Sequence, residues 1–273
     1  MTLRHYLWLV NLLLLAGCYE PREGCLDVSA VNFDASADEN CCCEYPTLKM
    51  SVLHRFDSLV WQPDSVYINN LGQPFRLRSV ALYLSGFGLE QNGQIYRVQD
   101  TIALKTRPSA GSDTVLTTFV NDFQLLRRTP TEYTIGLFPF AGAFQSVQFT
   151  VGLPDSAQAI FPAQTPQGHP LQPQPEGLWL GQDTAYAHLF LVVQSDTAAG
   201  ARLDTLRFSR LDFDAQKIKD TRNFVRETGF DFKLRLTINY AVLFRNLNWQ
   251  NGDINAWKVA IAANLPQAFS VSQ

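Results

Sequence analysis

Three histidines and a run of cysteines are the residues of this sequence best suited to bind a metal. His54, His169 and His188 are the histidines that follow the N-terminal apolar segment. Neutral imidazole suits copper and zinc, and thiolates such as those of Cys41 to Cys43 select Cu(I), although an oxidising compartment favours disulfides. A single histidine on an apolar strand face is also explained by a hydrogen bond in the core. The residue types therefore indicate either a copper or zinc site or buried structural histidines.

The first of these histidines belongs to a strand. Apolar residues alternate with Lys49, Ser51 and Arg55, which is the period-two pattern of a half-buried strand, and they are Leu48, Met50, Val52, His54 and Phe56. The pattern places His54 on the inward face. His169 lies in a proline-rich loop, and we expect this loop to close over His54.

That loop runs from Pro154 to Gly177 and contains six prolines. Loops of this length in compact domains are usually functional or form interaction surfaces. The loop is therefore a second candidate for function, independent of any metal.

Several enzyme signatures are absent from the sequence. It has no G-x-S-x-G, H-E-x-x-H, G-x-x-x-x-G-K-[ST] or G-x-G-x-x-G motif. We therefore expect a protein that is not an enzyme and has no catalytic residue, although a triad whose members meet only in space leaves no local motif.

The N-terminus reads as a lipoprotein signal. Arg4 and His5 precede an apolar run, Tyr6 to Ala16, that ends in Leu-Ala-Gly before Cys18. A run of this length is too short to span a bilayer. Residues 1–17 are therefore predicted to be a signal peptide and Cys18 a lipidated cysteine, with an ordinary secretory signal or a plain helix as alternatives. Because Tyr19 follows instead of an aspartate, we expect an anchor in the outer membrane of the cell envelope.

The composition limits the classes of partner. The chain has 273 residues, 46% of them hydrophobic, and a formal net charge of −3. Nucleic-acid binding selects for a basic surface, so we expect no nucleic-acid partner. A chain of this length can bury one large core, and the predicted lipid on Cys18 is the expected membrane attachment.

Residues 18–46 form a predicted linker stapled by disulfides. Cys25 and Cys41 to Cys43 all fall within this segment. Bonds between adjacent cysteines are strained, so we expect Cys25 to pair with one of the other three. The segment also resembles a thrombospondin type 3 calcium repeat, which implies calcium ligands at Asp27, Asn32, Asp34 and Asp38. The alternative is a solvated spacer between the lipid and the domain.

Residues 47–273 predict an all-β fold, an antiparallel β-sandwich with long loops and short C-terminal helical segments. Short helices are expected at Asn121 to Arg128 and near Trp257 to Asn264. Besides the first strand, the predicted strands are Phe75 to Leu89, Gln94 to Leu104, Glu132 to Phe138, Ser146 to Leu153, Ala185 to Val193, Thr205 to Phe213 and Phe230 to Tyr240.

Six blocks of this domain resemble, in their order and spacing, the methanobactin-associated MbnP-like copper-binding domain family. They are residues 48–56 (LKMSVLHRF), 67–72 (YINNLG), 82–85 (LYLS), 149–154 (FTVGLP), 168–171 (GHPL) and 261–269 (IAANLPQAF). The resemblance implies an extracytoplasmic β-sandwich that handles copper. It also implies a dihaem peroxidase-like partner that oxidises a tryptophan.

The sequence departs from the family pattern near that tryptophan. Where the family resembles Met-Tyr-Trp-x-Trp-Asn-x-Gly-Tyr, a register fixed on Tyr186 places Leu180 and Gln182 at the two tryptophan positions. Trp179, displaced by one position, is the candidate for the modified tryptophan. A later Phe-His block reads Phe208-Ser209 here, without its histidine.

Two functions follow from these observations. The first is a lipid-anchored, MbnP-like protein that binds copper without turnover, with His54, His169 and His188 as candidate ligands. The second is a metal-free surface scaffold that binds a protein or a glycan through the proline-rich loop or a sheet edge.

The anchor gives a direct prediction. Replacing Cys18 by serine removes the attachment point for lipid, so the Cys18→Ser protein is expected to leave the membrane fraction on carbonate washing while the parent stays. Fractionation followed by immunoblotting measures this. A variant that partitions with membranes like the parent would contradict the lipoprotein assignment.

Overall fold

Strands make up most of the regular secondary structure. A computed structural model describes residues 20–107, 112–182, 184–198 and 201–273, so the predicted signal peptide and Cys18 lie outside the described residues. Within those ranges no helix is both long enough and apolar enough to cross a bilayer.

The strands, in chain order, are β1 (Glu23–Gly24), β2 (Glu39–Asn40), β3 (Thr47–Phe56), β4 (Leu59–Val60), β5 (Tyr67–Ile68), β6 (Pro74–Gln91), β7 (Gln94–Arg97), β8 (Thr101–Thr106), β9 (Val115–Val120), β10 (Gln124–Arg127), β11 (Glu132–Leu137), β12 (Gly142–Phe144), β13 (Ser146–Val151), β14 (Leu189–Gln194), β15 (Asp204–Phe208), β16 (Gln216–Asp220), β17 (Phe224–Arg226), β18 (Phe232–Asn239) and β19 (Phe269–Ser272).

Two sheets pack face to face, which confirms the predicted all-β sandwich. The larger sheet has eight strands in the order β15-β14-β6-β13-β16, with β5, β7 and β10 also pairing with β6. The smaller has the order β11-β3-β18-β19, with β4 on β3. Most pairs are antiparallel, as expected, but β18 runs parallel to β3 and pairs Ile238 with His54.

The eight-stranded sheet is buried on both faces. The β6 run Val80-Ala81-Leu82-Tyr83-Leu84 is continuously apolar, which is typical of a strand with no solvent face. Leu82 and Leu84 point into the core between the sheets, whereas Ala81 and Tyr83 join a second apolar cluster on the other side. That second cluster is where the proline-rich loop packs.

The helices are short, and of the two helices predicted from the sequence one is present. The longest is Ile254–Asn264, which confirms the helix expected near Trp257, and Asp253 caps it by accepting from two backbone amides. The helix expected over residues 121–128 is wrong. Gln124–Arg127 is a strand because Leu125 and Leu126 pair with Tyr83 and Leu82 of β6, and tertiary pairing overrides weak helix propensity. The remaining helical turns are Asp155–Gln158, Pro162–Gln164, Tyr240–Leu243, Trp249–Asn251 and Leu265–Ala268.

The proline-rich loop has a defined conformation. It contains the helical turns Asp155–Gln158 and Pro162–Gln164. Tyr83 Oη donates to the Pro170 carbonyl at 3.1 Å, and Tyr186 Oη donates to that of Leu171 at 2.9 Å. These bonds come from the second apolar cluster, so the loop covers the eight-stranded sheet as a packed layer.

The N-terminal linker is a small ordered module. Cys25 is bonded to Cys43, and the adjacent Cys41 and Cys42 are bonded to each other. The strands β1 and β2 pair in parallel beside these bonds. The module leads directly into β3 through the buried Pro46.

Candidate functional site

His54 joins the two sheets of the sandwich. It is 5% exposed on β3, and its Nε2 lies 3.0 Å from the carbonyl of Arg127 on β10. A carbonyl can only accept, so Nε2 carries the hydrogen and donates. The neutral ring then has its lone pair on Nδ1, which accepts from the buried Tyr240 hydroxyl at 2.6 Å. Both nitrogens of His54 are therefore occupied within the core.

His169 holds the proline-rich loop to the chain just before β10. Its Nδ1 accepts from the Leu171 backbone N–H at 3.2 Å, so the hydrogen of the neutral ring is on Nε2. Nε2 donates to Asn121 Oδ1 at 3.3 Å. The ring also packs edge-on against Phe123, a residue of the second apolar cluster.

His188 lies beside the helical turn Asp155–Gln158. The Gln158 side-chain oxygen accepts from the Tyr186 N–H and its amide nitrogen donates to the Leu153 carbonyl, which fixes the orientation of the amide. That nitrogen also donates to His188 Nε2 at 2.8 Å. The hydrogen of the neutral ring is therefore on Nδ1, which has no hydrogen-bond partner among the described residues.

The backbone beside His188 must be glycine. A Cβ at position 152 would lie 2.7 Å from His188 Nδ1, and the φ of Gly152 is +108°, a value that side chains disfavour. The imidazole ring thus fills the space that a side chain would take. The orphaned Nδ1–H faces backbone and not an open site.

All three imidazoles are held neutral. Burial lowers the pKa of His54 to about 4, and the nearby Arg128 charge lowers it further against the opposing bond to the Arg127 carbonyl. Burial also lowers the pKa of His188 to about 4, against the attraction of Asp155, Asp214 and Asp212. Burial lowers the pKa of His169 as well.

The structure does not bring these histidines together. Trp61 and Tyr240, which pack on His54, belong to the core between the sheets, whereas Phe123, which packs on His169, belongs to the cluster on the far side of the eight-stranded sheet. Across the described ranges, no group of three or more His, Cys, Asp or Glu side chains is placed to hold a metal. The residues present therefore do not fit a shared copper centre, because each lone pair already accepts a hydrogen bond.

Trp179 lies at the edge of the second cluster and is partly buried. Its ring is 4.9 Å from that of Tyr186 and 6.5 Å from that of Phe161, centroid to centroid. It meets His188 only indirectly, through Tyr186 and Gln158. Oxidation of Trp179 stays a prediction of the family resemblance.

The predicted calcium ligands are engaged in local bonds. Asp27 accepts from the Ser29 backbone and hydroxyl, and Asp34 does the same with Ser36. Asp27 also accepts from Tyr45, and Asp34 forms an ion pair with Arg22. Calcium in this module stays a prediction.

The other two predicted calcium ligands are also bonded. Asp38 accepts from the Arg22 backbone N–H, and Asn32 binds the backbone at Cys42 and Glu44. All four side chains therefore stabilise the module through hydrogen bonds to nearby backbone groups.

An open cavity of about 470 Å³ lies beneath the proline-rich loop. Pro166 to Pro170 form one wall and β10 and β11 the other. The polar side chains that line it are Asp100, Asn121, Gln124, Thr134, Gln167 and His169. Sequence reasoning identified the loop and His169 but missed Asn121 and Gln124, because their segment was predicted to be helical.

A second cavity, of about 560 Å³, lies on the solvent face of the five-stranded sheet. Lys49, Lys233 and Arg235 line it together with Glu132. Lys49 is already paired with Asp231 at 2.6 Å. None of the candidate site residues predicted from the sequence lines this cavity.

The fold and its buried imidazoles define a β-sandwich with a capping loop layer. The chain matches no protein-family model and no curated protein. Among solved structures, MbnP from Methylosinus trichosporium is similar to it, with 13% sequence identity and a TM-score of 0.46. That alignment covers 82% of this chain and 97% of MbnP.

The neutral histidines predict a specific pH dependence. Their pKa values lie below the ordinary 6.5 when folded, so between pH 6.5 and 4 the unfolded chain binds protons that the folded chain does not. Stability is therefore full above pH 6.5 and falls as the pH drops towards 4, by about 1.4 kcal/mol per pH unit for each of His54 and His188. Urea unfolding at several pH values measures the free energy of unfolding. In the His54→Gln variant this free energy is expected to depend less steeply on pH, by the contribution of one histidine. An unchanged slope would contradict the assignment.

Proposed function

We propose that this chain is a non-catalytic binding protein of the bacterial cell envelope, anchored by lipid on Cys18, whose ligand site is the cavity beneath the proline-rich loop. The ligand that fits best is a neutral glycan. The observation that carries the proposal is the lining of the cavity, which combines planar polar groups that each keep a free hydrogen-bonding atom with apolar faces and, among the described residues, has no cationic side chain.

The free polar groups can both accept hydrogen bonds from hydroxyls and donate hydrogen bonds to them. Asp100 uses one carboxylate oxygen to accept from the Leu137 N–H, which leaves the other for a ligand. Gln124 donates to the Thr134 carbonyl and keeps its side-chain oxygen. Asn121 accepts from His169 and keeps its two N–H donors. A hydroxyl both donates and accepts, so a sugar ring matches this mixture.

The charge of the cavity argues against an anionic ligand. Asp100 is the charged side chain in its lining. An anion brought beside a carboxylate is repelled, whereas a neutral hydroxyl can donate to it. Phe123, Pro166 and Pro170 add apolar surface that suits the non-polar face of a sugar ring.

The cavity is held in shape by the loop's own bonds. Arg127 donates to both oxygens of Glu176, at 2.5 and 2.9 Å, and to Gln174 at 2.8 Å. That ion pair lowers the pKa of Glu176, so the pair persists at neutral pH. A preformed site loses less entropy on binding than a loop that must first become ordered.

Copper is the competing proposal, and it follows from the family resemblance. In this structure copper would have to displace the donors that occupy His54, His169 and His188. The scaffold proposal needs no such rearrangement, which is why we prefer it.

Metal content decides between these two proposals. The parent chain, purified after exposure to copper and dialysed, is expected to hold far less than one copper per chain by elemental analysis. The His54→Gln and His169→Gln variants are expected to match it. Stoichiometric copper in the parent that is lost in either variant would establish a site at those histidines and contradict the metal-free proposal.

Glycan binding is tested with an array of neutral oligosaccharides that also carries uronic-acid members. The parent is expected to bind neutral members, and Asn121→Ala and Gln124→Ala are each expected to weaken that binding by about 10-fold, the cost of about one good hydrogen bond. Asn255→Ala, which removes an exposed amide on the C-terminal helix, is the matched control and should bind like the parent.

Binding to the acidic members alone would contradict the neutral-ligand assignment. Equal binding by the parent and both cavity variants would place the glycan elsewhere. Capture of a peptide that Gln124→Ala abolishes, with no glycan bound, would make the cavity a protein-binding site instead.

A further inference from the structure

Exposed apolar side chains lie on the N-terminal module, which follows Cys18 closely in the chain, and on the adjoining turn before β18. Val28 and Phe230 are each 63% exposed, and Phe33 is 43% exposed. We call this group the anchor patch, and its members are Leu26, Val28, Val31, Phe33, Tyr45 and Phe230. Exposed apolar side chains grouped on one small module are typical of a site of contact with a partner or a membrane.

The anchor patch is held in place by short bonds. Tyr45 Oη donates to Asp27 Oδ2 at 3.1 Å, and the Val31 N–H donates to the Glu44 carbonyl at 2.8 Å. Cys25 forms a β-bridge with Phe33 and a disulfide with Cys43. The side chains are thus presented by an ordered surface.

The sandwich domain contributes to the same patch. An ideal Cβ on Gly229 would lie 3.3 Å from the Val28 carbonyl oxygen, so the turn before β18 rests on the N-terminal module. Phe230 follows directly in that turn. The patch therefore spans the module and the domain.

The predicted lipid places a membrane beside this patch. Glu20 is the first described residue, and Cys18 is two residues before it. Two residues of extended chain span at most about 7 Å. If Cys18 carries the lipid, the headgroup region of the membrane begins within about 7 Å of the module.

Charge identifies the kind of membrane surface. Residues 20–46 contain seven acidic residues and one basic residue, Arg22. Such a module is repelled by anionic headgroups, so the apolar contact is best made with a net-neutral, zwitterionic surface. Aromatic side chains such as Phe33, Tyr45 and Phe230 suit the boundary between headgroups and acyl chains.

We infer that the anchor patch lies in the interfacial layer of the membrane to which Cys18 is attached, and that it fixes the orientation of the sandwich. This inference rests on the lipid anchor proposed above. The strand β3 leaves the module at Thr47 and ends at Phe56, so its far end lies about 30 Å along the strand from the module. The loop layer is then held at a constant orientation to the bilayer.

Fluorescence quenching by lipids tests the inference in the full lipidated chain. Phe230→Trp places a reporter in the anchor patch, and Ile68→Trp places one at the far end of β3, where Ile68 is also 63% exposed. Both positions are exposed, so neither change should disturb folding. Each protein is reconstituted on zwitterionic phosphatidylcholine vesicles with or without brominated acyl chains. Relative to the parent, Phe230→Trp is expected to show about twofold more quenching and Ile68→Trp no more than the parent.

Each alternative result has a definite meaning. The parent is first tested for flotation with the vesicles, and failure to float would contradict the lipid anchor and this inference together. Flotation with equal quenching at both positions would overturn the orientation while leaving the anchor intact. A dimer in solution that Phe230→Ser dissociates, with no extra quenching at position 230, would assign the patch to a second copy of the chain and overturn the inference.

Discussion

The hydrogen bond from His54 Nε2 to the Arg127 carbonyl is the constraint around which this molecule is arranged. It is a buried polar link across the apolar core between the two sheets. An imidazole that is 5% exposed is most stable when it is neutral and paired at both nitrogens, because an unpaired buried polar group costs about 1 to 3 kcal/mol. Tyr240 supplies the second partner, and its buried hydroxyl finds a hydrogen-bond acceptor in the same contact.

Arg127 extends that link to the outer layer. Its carbonyl binds His54, while its guanidinium binds Glu176 and Gln174 at the end of the proline-rich loop. One residue of β10 therefore connects the core between the sheets to the loop that covers the other face. His169 and His188 repeat the pattern, since His169 ties the loop to Asn121 and Gln158 of the loop is tied to His188, each through a neutral ring. The histidines thus act as cross-links between layers.

The sequence predicted the parts of this fold that rest on periodicity. The alternation from Leu48 to Phe56 correctly placed His54 inward, and the continuous run around Val80 belongs to the central strand β6. The helix over Asn121 to Arg128 was wrong because the pairing of Leu125 with Tyr83 depends on contacts distant in sequence. The parallel β3–β18 pair was missed for the same reason. At the site, the histidines were visible, but their roles depend on Tyr240, Gln158 and Asn121, whose positions no local pattern reveals.

The protonation of the imidazole nitrogens can be measured directly by ¹⁵N nuclear magnetic resonance. In uniformly labelled protein at neutral pH, the nitrogen shifts should show the hydrogen on Nε2 of His54 and His169 and on Nδ1 of His188. None of these shifts should change when Cu(I) is added. A copper-dependent shift of the unprotonated nitrogen of any of the three rings would show that its lone pair is available to a metal and would contradict the structural role assigned to these histidines.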